Sequence, residues 1–125
     1  MTELSDLLDQ VENISQDIIK LEQDLVRINT TNTGFMPTGN ETEVCKYLEQ
    51  LLSKEGIASE TVESDEGRGN FIARLDGATG QNGLLFMSHS DVVPVEDYSK
   101  WRFDPFSATI YNGRIFGRGA SDCKG

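Results

Sequence analysis

The chain holds a single histidine, His89, followed two residues later by a carboxylate, Asp91, at the end of the apolar run Leu84-Leu85-Phe86-Met87. Imidazole nitrogen and carboxylate oxygen are common ligands for zinc-like ions. A metal-bound imidazole usually gives its other ring N–H to a carboxylate or carbonyl, which fixes the tautomer and raises ligand basicity. On a continuing strand, residues at i and i+2 share a face, whereas a bend at the strand's end brings Asp91 behind the ring. Spacing alone leaves three roles open for His89: metal ligand, general base, or a structural histidine hydrogen-bonded at a strand end. A second carboxylate, Asp122, lies in the run Gly117-Arg118-Gly119-Ala120-Ser121-Asp122-Cys123-Lys124-Gly125. Glycines let a backbone take positive φ and approach a ligand closely. A phosphate loop is disfavoured, because the Walker spacing is missing and Asp122 puts negative charge where a phosphate must sit. A carboxylate in a tight turn suits a divalent cation better, with a plain turn as the alternative.

These residues need elements to hold them. From Glu3 to Asn29 the apolar positions Leu4, Leu7, Val11, Ile14, Ile18, Leu21, Leu25 and Ile28 alternate spacings of three and four, which predicts a helix, broken at most once. Its stripe packs on its own domain or, over the first half, meets a partner subunit as a coiled-coil seam does. Thr30 to Gly39 is a loop. Asn40 with Glu43 makes a capping box for a second helix, which buries Val44, Tyr47, Leu48, Leu51 and Leu52, with Cys45 bordering that face, and stops at Gly56. The period then changes. A short edge strand is expected around Glu60–Glu63, a strand over Asn70–Leu75, and, after a loop ending Asn82-Gly83, an apolar strand Leu84–Met87 suited to a sheet interior. Asn112-Gly113 predicts a tight hairpin between Ala108–Ile110 and Arg114–Phe116. The division is thus 1–29 N-terminal helix, 40–56 second helix, and 57–125 strands and metal-site loops. The fold class is α/β, a layered sheet with flanking helices.

Composition narrows the function. With 11 basic against 21 acidic residues the formal net charge is −10, which lacks the basic field that nucleic acid or anionic lipid would need. No apolar run approaches the length of a membrane span. Glu3 and Asp6 near the start predict no secretory signal. Two cysteines, Cys45 and Cys123, are too few for a disulfide framework and point to reduced thiols in a cytoplasmic protein.

Three segments occur in order: His89-Ser90-Asp91-Val92-Val93-Pro94, Trp101-Arg102-Phe103-Asp104-Pro105-Phe106, and Gly113-Arg114-Ile115-Phe116 leading into the Gly117–Gly125 run. Together they resemble the front of the catalytic domain of the M20 metallopeptidase family, which includes acetylornithine deacetylase, succinyl-diaminopimelate desuccinylase, aminoacylase-1 and carnosinase-like dipeptidases. The strong motifs cover residues 84 to 125. The helices and earlier strands match more loosely.

The resemblance implies that His89 ligates a zinc ion and that Asp91 orients it. It further implies that Asp122 bridges two metals, with the following peptide bond often cis. Trp101, Pro105 and Phe106 are expected to be framework. Arg118 and Lys124 are expected to take solvated or salt-bridged roles rather than to meet a substrate carboxylate. Cys123 stands where relatives often carry Met, Thr or Asp. It is read as a small side chain filling space, with ligation or oxidation of the thiol as the lesser alternative. The implied chemistry is hydrolysis of the amide of an N-acyl amino acid by two Zn2+, with Co2+ or Mn2+ as substitutes. A dipeptidase or carboxypeptidase is the runner-up, and a non-enzymatic α/β domain with an association helix the competing class.

The glutamate general base, the remaining ligands and an inserted dimerisation domain follow later in such enzymes. The chain is therefore expected to be an N-terminal fragment of a zinc-peptidase-like catalytic domain, inert by itself and a weak zinc binder. Its full-length form would be a homodimer acting on a small N-acyl amino acid or short peptide, with no nucleic-acid or membrane partner.

Overall fold

The computed structural model describes residues 3–79 and 82–125; positions 1–2 of the expected N-terminal helix segment and 80–81 of the expected loop lie outside the described residues. The N-terminal helical stretch divides into α1 (Leu4–Asn13) and α2 (Ser15–Arg27), meeting at Ile14. Asn13, Ile14 and Ser15 are three successive residues of modest helix propensity, and the break falls there. α1 starts with a reciprocal cap in which the Glu3 backbone N–H donates to Asp6 Oδ2 at 3.3 Å. α1 buries none of its residues, and Leu4, Leu7, Leu8 and Val11 stay exposed. In α2 the stripe residue Ile18 is still exposed, Leu21, Leu25 and Ile28 are half-buried, and the fully buried residue is Val26, outside the stripe.

α3 (Glu41–Lys54) lies against the antiparallel pair β1 (Ser59–Glu63) and β2 (Gly69–Ala73), burying Val44 and Cys45. The expected Asn40–Glu43 capping box does not form. Asn40 makes no side-chain cap, its N–H goes to Glu41 Oε2 at 3.1 Å, and Glu43 pairs with Lys46 at 2.7 Å. A nearer carboxylate, Glu41, has taken the donor that Glu43 was expected to accept. Gly56 ends the helix as expected. It lies at φ +69°, with the N–H of Ile57 donating to Leu52 O at 3.0 Å and that of Gly56 to Ser53 O at 3.2 Å, which satisfies the last carbonyls. α2 and α3 are tied by Tyr47 Oη, which donates to Asp24 Oδ2 at 3.0 Å.

The second sheet is the hairpin β3 (Thr109–Tyr111) and β4 (Arg114–Phe116), with Tyr111 opposite Arg114. Asn112 and Gly113 have φ of 49° and 71°, the two positive values that a type I′ turn requires and that Asn-Gly supplies at low cost. Phe103 packs on this hairpin, 5.3 Å from the Phe116 ring and 5.7 Å from Tyr111, and Arg102 lies over Tyr111 at 4.1 Å. Pro105, expected to be framework, is fully buried.

The layered sheet is present as two separate two-stranded antiparallel sheets. The expected interior strand Leu84–Met87 is unpaired, with its four side chains 80, 79, 85 and 86% exposed. An interior strand needs partners on both edges and cover on both faces, and no described residue supplies them. An open groove of about 740 Å³ lies there, lined by Val44 and Leu48 of α3, Phe71 of β2, and Leu85, Phe86 and Met87. The backbone bridge that ties the segment down lies beyond His89. Val92 N–H donates to Thr30 O at 3.0 Å, Asn32 N–H to Val92 O at 2.8 Å, and Thr30 Oγ1 to Ser90 O at 2.6 Å.

Candidate metal centre

His89 projects from the segment that this short parallel bridge anchors, and its two ring nitrogens face carboxylates on opposite sides. Nδ1 lies 3.0 Å from the Asp91 carbonyl oxygen and 3.2 Å from Asp91 Oδ1, while Nε2 lies 3.1 Å from Asp122 Oδ1. Both partners of Nδ1 are acceptors, so that nitrogen carries the hydrogen. Asp122 Oδ1 is an acceptor as well, so at 3.1 Å Nε2 meets it by donating a proton, which occupies the position that a metal ion would take between the two. Between these acidic groups the imidazole pKa is raised, first by the Asp91 carbonyl and then by the Asp122 carboxylate.

Asp91 is itself held. Asn32 Nδ2 donates to its Oδ2 at 2.8 Å, and the Arg68 guanidinium stands 3.8 Å away while pairing with the buried Glu41 at 2.9 Å. The Asn32 hydrogen bond is the main reason the Asp91 carboxyl titrates below its ordinary range, with His89 and Arg68 adding to it. Sequence reading did not single out Asn32, Arg68 or Thr30 for the site. The only local signal was a polar loop rich in Thr and Asn, and what ties it to Asp91 is a contact 59 residues distant.

Asp122 is presented by the glycine-rich turn. Gly119, at φ +92°, has no room for a side chain, because a Cβ there would meet Val92 Cγ1 at 2.7 Å and the Lys124 stem at 3.3 Å. The turn closes with Lys124 N–H donating to Gly119 O at 2.8 Å, and the Asp122–Cys123 peptide is cis. Lys124 points inward. Its buried ammonium donates to Leu25 O at 3.0 Å, which also accepts from the Ile28 N–H at 3.2 Å, and to Ile28 O at 2.7 Å, both at the end of α2. Burial pushes that ammonium down to about 8. Arg118 stacks its guanidinium on Trp101 at 5.0 Å. Against the expectation of solvated or salt-bridged roles, Lys124 is buried on backbone carbonyls and Arg118 stacks on Trp101, and among the described residues neither pairs with a carboxylate.

Cys123 is the residue whose placement differs most from a mere space filler. Its Sγ is 3.0 Å from Ser88 Oγ, which also donates to the Cys123 carbonyl at 3.1 Å. These contacts, the Ser88 hydroxyl first and the His89 backbone N–H second, hold the thiol below its ordinary pKa. Cys45 is the opposite case: burial raises it. One ligand atom each from His89, Asp122 and Cys123 lies within 4.8 Å of the others. Imidazole nitrogen, carboxylate oxygen and thiol sulfur are a donor set that zinc accepts, so the residues fit a divalent transition-type ion better than a hard cation.

Residues 85–125 match the model of peptidase family M20/M25/M40. A probable succinyl-diaminopimelate desuccinylase of Staphylococcus epidermidis is 40% identical over 110 residues, which is 88% of this chain and 25% of that protein. An acetylornithine deacetylase of Vibrio atlanticus is 38% identical over 87 residues, 70% of this chain and 22% of that one. Among solved structures, an M20 family metallo-carboxypeptidase from Sulfolobus solfataricus superposes with a TM-score of 0.71 at 31% identity, covering 85% of this chain and 23% of its own. The chain spans about a quarter of the length of the curated relatives it matches. Among the described residues no helix is long and apolar enough to cross a membrane. Residues 85–125 thus match the M20 peptidase family model, and over a quarter of its relatives' length the chain is similar to members of that family.

Proposed function

We propose that His89 and Asp122 form one side of a two-zinc site that, in a protein of its relatives' full length, hydrolyses the amide bond of N-acyl amino acids. The observation that carries this is the position of His89, with Nδ1 anchored on Asp91 and Nε2 aimed at Asp122 at 3.1 Å. A bound zinc pair supplies Lewis acidity toward the scissile carbonyl and lowers the pKa of water. The chain's own residues do the positioning. Asp91, fixed by Asn32, holds the imidazole in one tautomer and orientation. Gly119 and Lys124 shape the turn from which Asp122 projects. His89 and Asp122 would hold the metal, and Asp91 is a positioning residue. Co2+ and Mn2+ are acceptable substitutes at nitrogen and oxygen ligands.

The described residues bring no glutamate into the His89–Asp122–Cys123 group. A zinc-type catalytic centre needs three or more protein ligands and, for amide cleavage, a proton acceptor. The 125-residue chain by itself is therefore inert. A cytoplasmic setting with both cysteines reduced fits the same reading, as does dimerisation of the longer protein.

The deacylase reading is favoured by the desuccinylase and deacetylase relatives. A peptidase acting on dipeptides or C-terminal residues is second, favoured by the structural likeness to a metallo-carboxypeptidase. The test is a hydrolysis panel of N-succinyl, N-acetyl and dipeptide substrates on a full-length protein containing this sequence, stripped of metal and then restored with zinc. Zinc-restored cleavage of the acylated substrates is expected. Cleavage of none of them, or cleavage unaffected by chelation, would reject it.

A further inference from the structure

Beside Asp122, the cysteine turns its side chain toward the same point as the two candidate ligands. Donor atoms on one tetrahedral zinc, at bonds of about 2.0–2.3 Å, stand about 3.3–3.8 Å apart. The separations here, 3.1 Å between His89 Nε2 and Asp122 Oδ1 and at most 4.8 Å across the trio, bracket that range. The sulfur is also fixed in direction. Ser88 Oγ contacts both the sulfur and the carbonyl of Cys123, from the residue that precedes His89, so the same short segment that presents the imidazole steers the thiol. Metal ligands are commonly oriented in this way by hydrogen bonds from neighbouring groups. The other free thiol, Cys45, is buried on α3 and among the described residues belongs to no such group.

We propose that Cys123 is a third protein ligand, giving a mixed nitrogen, oxygen and sulfur site with His89 and Asp122. This rests on the metal-site reading above and sharpens it. Coordination forms one sulfur–metal bond, the S–H proton passes to solvent, and no electron changes hands. A thiolate ligand tilts selectivity toward thiophilic ions such as zinc and cadmium, and away from manganese and magnesium, which prefer oxygen. It also brings the ligand count of this chain to the three that a zinc site requires.

The test is titration of the metal-free chain, kept reduced with a phosphine, with Cd2+ and with Mn2+. The expected result is a sulfur-to-cadmium charge-transfer band in the ultraviolet that saturates with binding. The band should be lost in Cys123→Ser and Cys123→Ala and kept in Cys45→Ser. Cadmium affinity should fall on the order of tenfold or more in the Cys123 variants, with manganese affinity nearly unchanged. If those variants fail to fold by circular dichroism, the cadmium NMR shift of the unaltered chain decides, since sulfur ligation moves it far from nitrogen and oxygen values. Cadmium binding without a sulfur signal, or with one that survives loss of Cys123, overturns the thiolate ligand and leaves the His89–Asp122 site standing. Binding indifferent to His89→Gln rejects the site itself.

Discussion

His89 Nε2 stands 3.1 Å from Asp122 Oδ1, although 33 positions separate the two residues in the chain. Three local devices create that contact. The parallel bridge between Thr31 and Val92 anchors the segment that follows His89. Asp91 fixes the ring, and the Gly119 turn carries Asp122 to it. Each predicts a measurable effect.

Asp91 acts on metal through His89 rather than by touching it. Replacing Asp91 with Ala removes the carboxylate acceptor of Nδ1–H and leaves only the backbone carbonyl of residue 91, so the ring is held less firmly. Zinc affinity should fall about 10–100-fold, read by calorimetry. Asn32→Ala, which only loosens Asp91, should weaken zinc less. An Asp91→Ala chain that binds zinc as tightly as the unaltered one contradicts the positioning role.

Lys124 stabilises the turn by satisfying two α2 carbonyls. Lys124→Met keeps the apolar stem but leaves Ile28 O without its donor, while Leu25 O keeps the Ile28 N–H. An unsatisfied buried group costs about 1–3 kcal/mol, offset in part by the lost penalty of burying an ammonium. A net destabilisation of about 1–2 kcal/mol in urea unfolding is expected. An equal or higher midpoint would show that the amine is not needed there.

Asp24 links α2 to α3 through Tyr47 and accepts from Lys20 and Arg27. These donors, Lys20 first, hold its carboxyl below the ordinary value of 3.8. A depressed carboxyl means the unfolded chain binds the proton first as pH falls, so this stability is present above about 3.8 and is lost as pH drops through the lower folded value. Thermal melts from pH 5 to pH 2 should show an acid-induced loss that is smaller in Asp24→Asn. An unchanged acid limb would remove Asp24 from the account.

Leu84 to Met87 are four consecutive exposed apolar side chains. A contiguous apolar patch in a chain of this size drives association. The 125-residue chain should self-associate with rising concentration in sedimentation velocity, and Leu85→Glu with Met87→Glu should suppress it. A monomer at all concentrations without those changes would mean the segment is covered.

Local chemistry was the legible part of the sequence. Asn112-Gly113 dictates its own turn, Gly56 its own helix stop, and the β1 and β2 segments were placed to within a few residues. The His89, Asp91 and Asp122 set was readable because each lies in a compact motif. Contacts across the chain were not legible. Asn32 and Arg68 reach Asp91 from loops whose composition names no partner. Lys124 and Arg118 are charged residues whose burial and stacking depend on α2 and Trp101. Periodicity identified the apolar face of α1 without saying what covers it. An apolar run at Leu84–Met87 suits an interior strand only where neighbours exist to pair with it.

The central claim is that His89 and Asp122 hold a metal ion together. Calorimetric titration of the metal-free chain with Zn2+, beside His89→Ala and Asp122→Ala, tests it most directly. Saturable binding that each substitution weakens by about tenfold or more is predicted. Binding that both variants retain unchanged, or no binding by the unaltered chain at millimolar zinc, would contradict it.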